Sequence, residues 1–473
     1  MSTDNKYTKL AANTLIFAIG SFSSKILAIL LTRFYTSVLT TAEYGEADLI
    51  TGAGNLIAPI AMLAINEAVI RFVMDKSADR RQVFTAGLVT TLGGALVLLC
   101  CLPLLGMMGT LSGHTLLIFF FVLSNNLRGL CASFSRGSGY VRLYAFDGVI
   151  ATLTTIIFNV LFLVVFRMGV VGLVAGTIAA NCLSVLFYFW AARLHRFIRP
   201  GSLKKDVFAA MYRYCIPLIP TTLFWWITNT SDKYMIEYFC GLDLTGLYAA
   251  AIKIPNLLTM ASAIFYQAWL LSAVSEYEDP DERNRFYSRV TQTYFSIVFL
   301  LGMGILLLTK PAMYLLVHPD YFTAYEYVPL LLGSEVFSTF VTFLGAFYAA
   351  AKKNIMVPIT ILMGALVNIG LNLWLIPIHG PQGAAFATLM SYLVVFIVRF
   401  VDVQRFVKVK VSYPVMLLSC LLLGVQGYLV FRPGWQPYAI QAALVIVMLA
   451  VNLKHLMPMI RVVLGQVSGY FTR

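Results

Sequence analysis

Apolar runs of about 20 residues recur from one end of this chain to the other, each long enough to cross about 30 Å of hydrocarbon. Hydrophobic residues fill 60% of the 473 positions and charged residues only 12%, too little polar surface to coat a water-soluble body of this size. Backbone groups in lipid must be satisfied within a segment or a closed barrel, and the runs lack the alternation of barrel strands, so they read as helices. Spans are expected near 11–36, 47–72, 83–108, 114–134, 143–166, 170–192, 212–236, 245–272, 290–317, 325–350, 355–376, 384–401, 413–431 and 438–458. The expected fold is all-α and polytopic, with about fourteen transmembrane helices.

The formal charge of +13 follows loop parity. With the N-terminus inside, inner loops and tails hold about 26 Lys and Arg, four of them counted between Arg399 and Lys410, and outer loops hold two, Arg167 and Arg432. Both termini are therefore expected in the cytoplasm, and no nucleic-acid partner is needed to explain the charge. The first span carries Lys25 and Arg33 with no small-residue cleavage site, as an uncleaved helix would. Seven cysteines without a CxxC imply neither a disulfide framework nor a zinc site.

Internal repetition divides the chain. Ala42–Leu56 aligns with Asp243–Leu257, pairing Gly45 with Gly246 and Asn55 with Asn256, and Gly169–Thr177 aligns with Gly380–Thr388. The offsets, about 201 and 211 residues, point to two pseudo-symmetric six-helix lobes of parallel topology. Residues 1–195 would form the N-terminal lobe, 196–211 a cytoplasmic linker, 212–410 the C-terminal lobe, and 411–473 an extra helix pair with a cytoplasmic tail. The linker region places Leu203, Val207, Phe208 and Met211 at helical spacing, as in an amphipathic helix lying on the inner leaflet.

Six basic residues fall inside spans: Lys25, Arg33, Arg128, Lys233, Lys253 and Lys310. A charge at mid-bilayer costs roughly 2.5–3.5 kcal/mol on insertion scales, so such groups face a wet interior or sit near a helix end from which they reach the interface. Lys233 and Lys310 suit the second description; Lys25, Arg33, Arg128 and Lys253 suit a cationic cavity. Asp48, Asn55 and Asn66 share one face of a continuous helix, which either looks into that cavity or forms a polar seam between packed helices. Glu67 and Arg71, four apart, suit a local ion pair, and Asp147, opening the fifth expected span, suits a cap. Trp225, Asn229 and Asp232 share a face of the seventh span, while Asn368 and Asn372 stand one turn apart on the eleventh. Their oxygens could hold a small hard cation or simply join helices by hydrogen bonds. No Walker loop, GxSxG or HExxH occurs and the five histidines are scattered, so the expectation is a transporter without cofactor and not an enzyme.

The stretch NTLIFAIGSFSSKILAILLTRFYTSVLTTAEYGEADLI, residues 13–50, resembles the opening of bacterial Wzx-type polysaccharide flippases. NIGLNLWLIPIHGPQGAAFAT, residues 368–388, is similar to the later helices of that family and of its relatives in the multidrug/oligosaccharidyl-lipid/polysaccharide (MOP) exporter superfamily. The resemblance implies a monomeric, two-lobed, V-shaped transporter of the bacterial cytoplasmic membrane. It would carry undecaprenyl-pyrophosphate-linked oligosaccharide outward by alternating access, in concert with glycosyltransferases and a polysaccharide polymerase. Lys25, Arg33, Arg128 and Lys253 would hold the pyrophosphate, beside the cavity residues Asp48, Asn55, Asn66 and Trp225. In related lipid II flippases a sodium site joins an Asp on the seventh helix, two polar residues on the eleventh and a Thr on the twelfth. Asp232, Asn368, Asn372 and Thr388 are similar in placement, with Asn372 standing where those relatives have an acid. They form the candidate site for a coupling Na+ or H+. A lipid II-type flippase or an ion-coupled multidrug antiporter is the rival within transport, although the antiporter would want an acidic cavity. A membrane glycan polymerase or ligase is the rival of another class, and would want a large outer loop.

Overall fold

The structure, a computed structural model, describes residues 31–471 apart from 76–77, 108, 200, 202–203, 275–279, 352 and 354. The described residues form helices and turns, without strands. A helical stretch at 31–38 leads into α1 (Thr41–Ala61), α2 (Ile65–Met74), α3 (Arg80–Leu105), α4 (Thr115–Gly137), α5 (Val141–Asn159), α6 (Gly169–Ala191) and α7 (Lys205–Cys215). Then come α8 (Ile219–Cys240), α9 (Leu242–Ala251), α10 (Asn256–Val274), α11 (Pro280–Leu307), α12 (Thr309–Leu316), α13 (Val328–Ala350), α14 (Met356–His379), α15 (Pro381–Val403), α16 (Tyr413–Val430) and α17 (Trp435–Phe471).

Local chemistry sets the helix starts. Thr40 and Glu43 form a capping box on α1: the Thr40 backbone N–H donates to Glu43 Oε2 at 2.9 Å and the Glu43 N–H to Thr40 Oγ1 at 3.3 Å. Asp79 caps α3 by accepting from the Arg81 N–H at 2.9 Å. Pro329, Pro381 and Pro414 stand in the first turns of α13, α15 and α16, where their missing N–H leaves no intrahelical bond unmade.

By length and composition eleven helices of the described residues can cross a membrane, or twelve if the bent pair α1–α2 is one span. The fourteen expected included 11–36, most of which lies outside the described residues, and 245–272, which a turn at 252–255 divides into α9 and α10. The expected span 47–72 is also broken. Leu63 and Ala64 both adopt left-handed backbone, with φ of 52° and 48°, and α1 and α2 meet at a 57° bend. A left-handed pair reverses the helical path, so positions on either side no longer share a face.

The chain separates into two compact units, residues 1–226 with 241–246, and residues 227–240 with 247–473. In the first, Phe84, Phe134, Tyr188 and Leu194 fill a core between α3, α4 and α6. The linker helix α7 joins that core, burying Met211 and Cys215, while Tyr212 hydroxyl meets Thr90 Oγ1 at 2.9 Å. Val207, Phe208 and Met211 of its apolar face thus pack on protein. Gly45 of α1 meets the first turn of α9 so closely that a Cβ would sit 2.6 Å from the Leu242 carbonyl and 2.7 Å from the Gly246 nitrogen. The two glycines paired by the internal repeat are therefore also neighbours.

The second unit is built on an aromatic core in which Phe343 of α13 stacks on Trp269 of α10 at 4.9 Å and on Tyr294 of α11 at 4.5 Å. The extra pair α16–α17 is tied to α11 by buried polar contacts: Ser296 Oγ donates to Asn452 Oδ1 at 2.7 Å, and Gln426 Nε2 to the Met303 carbonyl at 2.9 Å. In hydrocarbon such contacts, together with close packing, hold helices together. The repeat is legible in the backbone as well. The helix pairs α5–α6 and α14–α15 each turn at a glycine of positive φ, Gly169 at 54° and Gly380 at 58°, a conformation that favours glycine.

Candidate functional site

Two clusters of buried polar side chains stand out, one in each unit. In the second unit, Asp232 on α8 is 2% exposed, Asn368 and Asn372 on α14 are 0%, and Thr388 on α15 is 6%. All four residues of the expected coupling-ion site meet. Thr388 Oγ1 lies 3.4 Å from Asp232 Oδ2, Asn368 Nδ2 donates to Thr388 Oγ1 at 3.2 Å, and Asn372 Nδ2 donates to Asn368 Oδ1 at 3.0 Å. Tyr248 of α9 completes the group by donating its hydroxyl to Asp232 Oδ2 at 2.7 Å, and the Lys233 N–H donates to Oδ1 at 3.0 Å. Asn372 Oδ1 is buried with no hydrogen-bond partner. One carboxylate and one hydroxyl meet here beside an asparagine pair whose Asn372 oxygen is orphaned, a donor set that suits a monovalent cation or a proton and leaves a divalent ion short of charge.

In the first unit, Asp147 on α5 is 2% exposed and faces Arg128 of α4. Arg128 Nη2 and Nε reach Asp147 Oδ2 at 3.1 and 3.4 Å, and Nη1 donates to Asn181 Oδ1 of α6 at 3.3 Å. Arg128 itself is 30% exposed. Asp147 lies in the second turn of α5 and bonds across helices, so it is not the cap its position suggested. Arg128 is likewise not an uncompensated cavity base: its charge is matched by a buried acid.

A model of the "Polysaccharide biosynthesis protein" family matches residues 10–271, more than half of the chain. The chain belongs to this polysaccharide biosynthesis family. The fold agrees with solved structures of MOP exporters. A structure of the lipid II flippase MurJ in an inward closed conformation superposes with a TM-score of 0.71, at 15% identity, covering 95% of this chain and all of that one. Inward- and outward-facing structures of a multidrug resistance MATE family transporter of the MOP superfamily give 0.63 and 0.60, both at 14% identity. They cover 82% and 83% of this chain, and 98% and 94% of theirs. A search of curated protein sequences returns no match. The family match and the many helices apolar enough to cross a membrane describe a multi-pass membrane protein whose fold is like that of MOP-superfamily transporters.

The other expected site residues of this family member are dispersed. Lys25 lies outside the described residues. Arg33 is exposed on the stretch 31–38, and Lys253 is half-buried in the turn between α9 and α10. Asp48 and Asn55 remain on α1, half-buried and exposed, but Asn66 falls beyond the break and turns to α4, where its Nδ2 lies 3.4 Å from Asn126 Oδ1. The expected single face of three residues is thereby corrected, because it assumed an unbroken helix. Trp225 is 58% exposed although Asp232, two turns on, is buried. Arg71 sits 5.2 Å over the Tyr214 ring, and Lys310 reaches the Arg432 carbonyl at 3.3 Å and the Tyr325 ring at 4.9 Å.

Three further residues, two buried and one half-buried, lie within the helices of the second unit. Tyr248, near the start of the expected span 245–272, is 0% exposed. Arg399, assigned to an inner loop, is 3% exposed within α15, donating to Thr360 Oγ1 and the Val341 carbonyl at 2.8 Å and to the Val357 carbonyl at 3.2 Å. Glu335 interrupts the apolar run of α13, and the rule that singled out six bases, applied to acids, would have found it.

Proposed function

We propose that this protein flips undecaprenyl-pyrophosphate-linked oligosaccharide from the inner to the outer leaflet of the bacterial cytoplasmic membrane. The observation that carries the reading is the polysaccharide biosynthesis family match over residues 10–271 on a fold shared with a lipid II flippase. A diphosphate sheds water on leaving the aqueous phase, and fixed cations offset that loss. Lys25, Arg33 and Lys253 are proposed for that task; Arg128, already neutralised by Asp147, serves it less directly. The bulky lipid tail never needs to leave hydrocarbon, so only the charged headgroup and sugar require a polar route.

The cluster of Asp232, Asn368, Asn372 and Thr388 is proposed to bind the coupling ion, Na+ or H+. It carries one formal negative charge, and one monovalent cation neutralises it. Loss of that charge changes how tightly α8, α14 and α15 hold each other, which is the kind of bistable contact a transport cycle requires.

Deletion of the gene followed by complementation tests the reading. Wild-type protein should restore surface polysaccharide, whereas Lys253→Ala and Asp232→Asn should lower it at least tenfold at equal membrane abundance. Accumulation of the lipid-linked glycan on the inner leaflet should accompany the loss. Restoration to wild-type levels by both variants would remove the assigned roles, and drug sensitivity without a polysaccharide defect would favour the antiporter.

A further inference from the structure

In the first unit a crevice of about 460 Å³ opens between the end of α2, the start of α3 and the turn at Leu194–Phe197, within the size range of pockets that hold small organic ligands. Its walls are held from behind. Val73 belongs to the core of the unit, and the Phe197 ring packs on Phe134 at 5.0 Å. Thr85 Oγ1 of α3 lies 2.9 Å from the Phe197 carbonyl and accepts the Arg199 N–H at 3.0 Å, which fastens this segment to α3. A crevice fixed in this way needs little reorganisation to take a ligand.

Four charged and exposed side chains line it: Asp75, Asp79, Arg80 and Arg81. Asp79 uses Oδ1 to cap α3, and because a carboxylate accepts several bonds its Oδ2 can take a further donor. Two guanidinia and two carboxylates are together formally neutral. A simple anion would gain the arginines and meet the aspartates, and a simple cation would do the reverse. A zwitterion satisfies both pairs, the planar guanidinium fork suiting a phosphodiester and the carboxylates an ammonium.

Position points to a lipid as the bearer of those charges. The charge bias of the loops assigns this end of α3 to the cytoplasmic side. Further along, α3 exposes Val89, Leu92 and Leu96, the first about 14 Å from Arg80 at ~1.5 Å per residue, and Met74 beside the crevice is 68% exposed. Charged groups thus stand at one end of an apolar, lipid-facing surface, as headgroups do above their chains. We infer that this crevice binds the headgroup of an inner-leaflet phospholipid with a primary ammonium, phosphatidylethanolamine by chemistry. Arg80 and Arg81 take its phosphodiester, Asp75 and Asp79 its ammonium, and Met74 and Phe197 border the glycerol. A quaternary choline has no N–H to give the carboxylates, and a glycerol headgroup has no cation. The inference concerns the first unit alone and holds for any transported substrate.

Native mass spectrometry of the full-length protein in detergent reads the preference, by titration with phosphatidylethanolamine, phosphatidylcholine or phosphatidylglycerol of matched acyl chains. The ethanolamine lipid should bind about tenfold tighter than either of the others, and Arg80→Gln with Arg81→Gln should remove about that factor. Asp79→Asn should bring the ethanolamine lipid down toward the choline lipid at an unchanged melting temperature, since asparagine caps a helix as well as aspartate does. Arg142→Gln, which removes an exposed cation of α5, should change none of these affinities. Equal binding of the three lipids, tightest binding of the glycerol lipid, or a preference that survives Arg80→Gln with Arg81→Gln would each overturn the inference. Glycerophosphoethanolamine, which lacks acyl chains, should not displace the lipid at equal concentration; displacement would make the ligand a soluble phosphodiester and end the lipid assignment. None of these readings involves transport, so they stand or fall separately from the proposed substrate.

Discussion

Replacing Arg128 with alanine leaves the Asp147 carboxylate, 2% exposed, without its countercharge. Breaking a buried pair in this way costs about 3–5 kcal/mol. Arg128 is 30% exposed, so water already screens part of the attraction, and about 2–3 kcal/mol is the better expectation here. That corresponds to a fall of roughly 30–140-fold in the ratio of folded to unfolded protein, at 1.4 kcal/mol per factor of ten. Removing both charges together should recover most of the loss, because Arg128→Gln with Asp147→Asn leaves two neutral amides at the same contact. Chemical denaturation in detergent micelles of the wild type, both single variants and the double variant closes the cycle, with surface polysaccharide measured in parallel. A coupling energy near zero would refute the ion-pair argument. Full stability of the double variant with no polysaccharide would return Arg128 to the substrate, whereas recovery of both would make it structural.

Other positions test the packing. A Cβ at Gly176 would lie 2.0 Å from Asn159 Oδ1, so Gly176→Ala should destabilise by about 1–3 kcal/mol in a melting assay, while Gly345→Ala, whose nearest neighbour would be 3.6 Å away, should be nearly silent. Arg399→Met exchanges three hydrogen bonds for an apolar chain but orphans no carboxylate, and should cost less than Arg128→Ala in the same assay.

The helical class, the approximate position of most spans and the pairing of the two halves were all legible in the sequence, because hydrocarbon admits few backbone solutions and apolar length reports them directly. Polar residues at 232, 368 and 372 stood out within apolar spans, but Thr388 joined them only through a family resemblance, since nothing in their spacing says that α8, α14 and α15 adjoin. Tertiary structure decided the fate of the charges. Arg128 proved to be matched by Asp147, and Arg399 turned out to lie buried among carbonyls, because pairing depends on which helices pack together. The break at Leu63 and Ala64 was also hidden: neither residue is a glycine, and no local signal announces a left-handed pair that only surrounding packing holds in place. Sequence determined what the chain dissolves in and roughly where its apolar helices fall; contacts between helices determined which of its costly charges remain free to act.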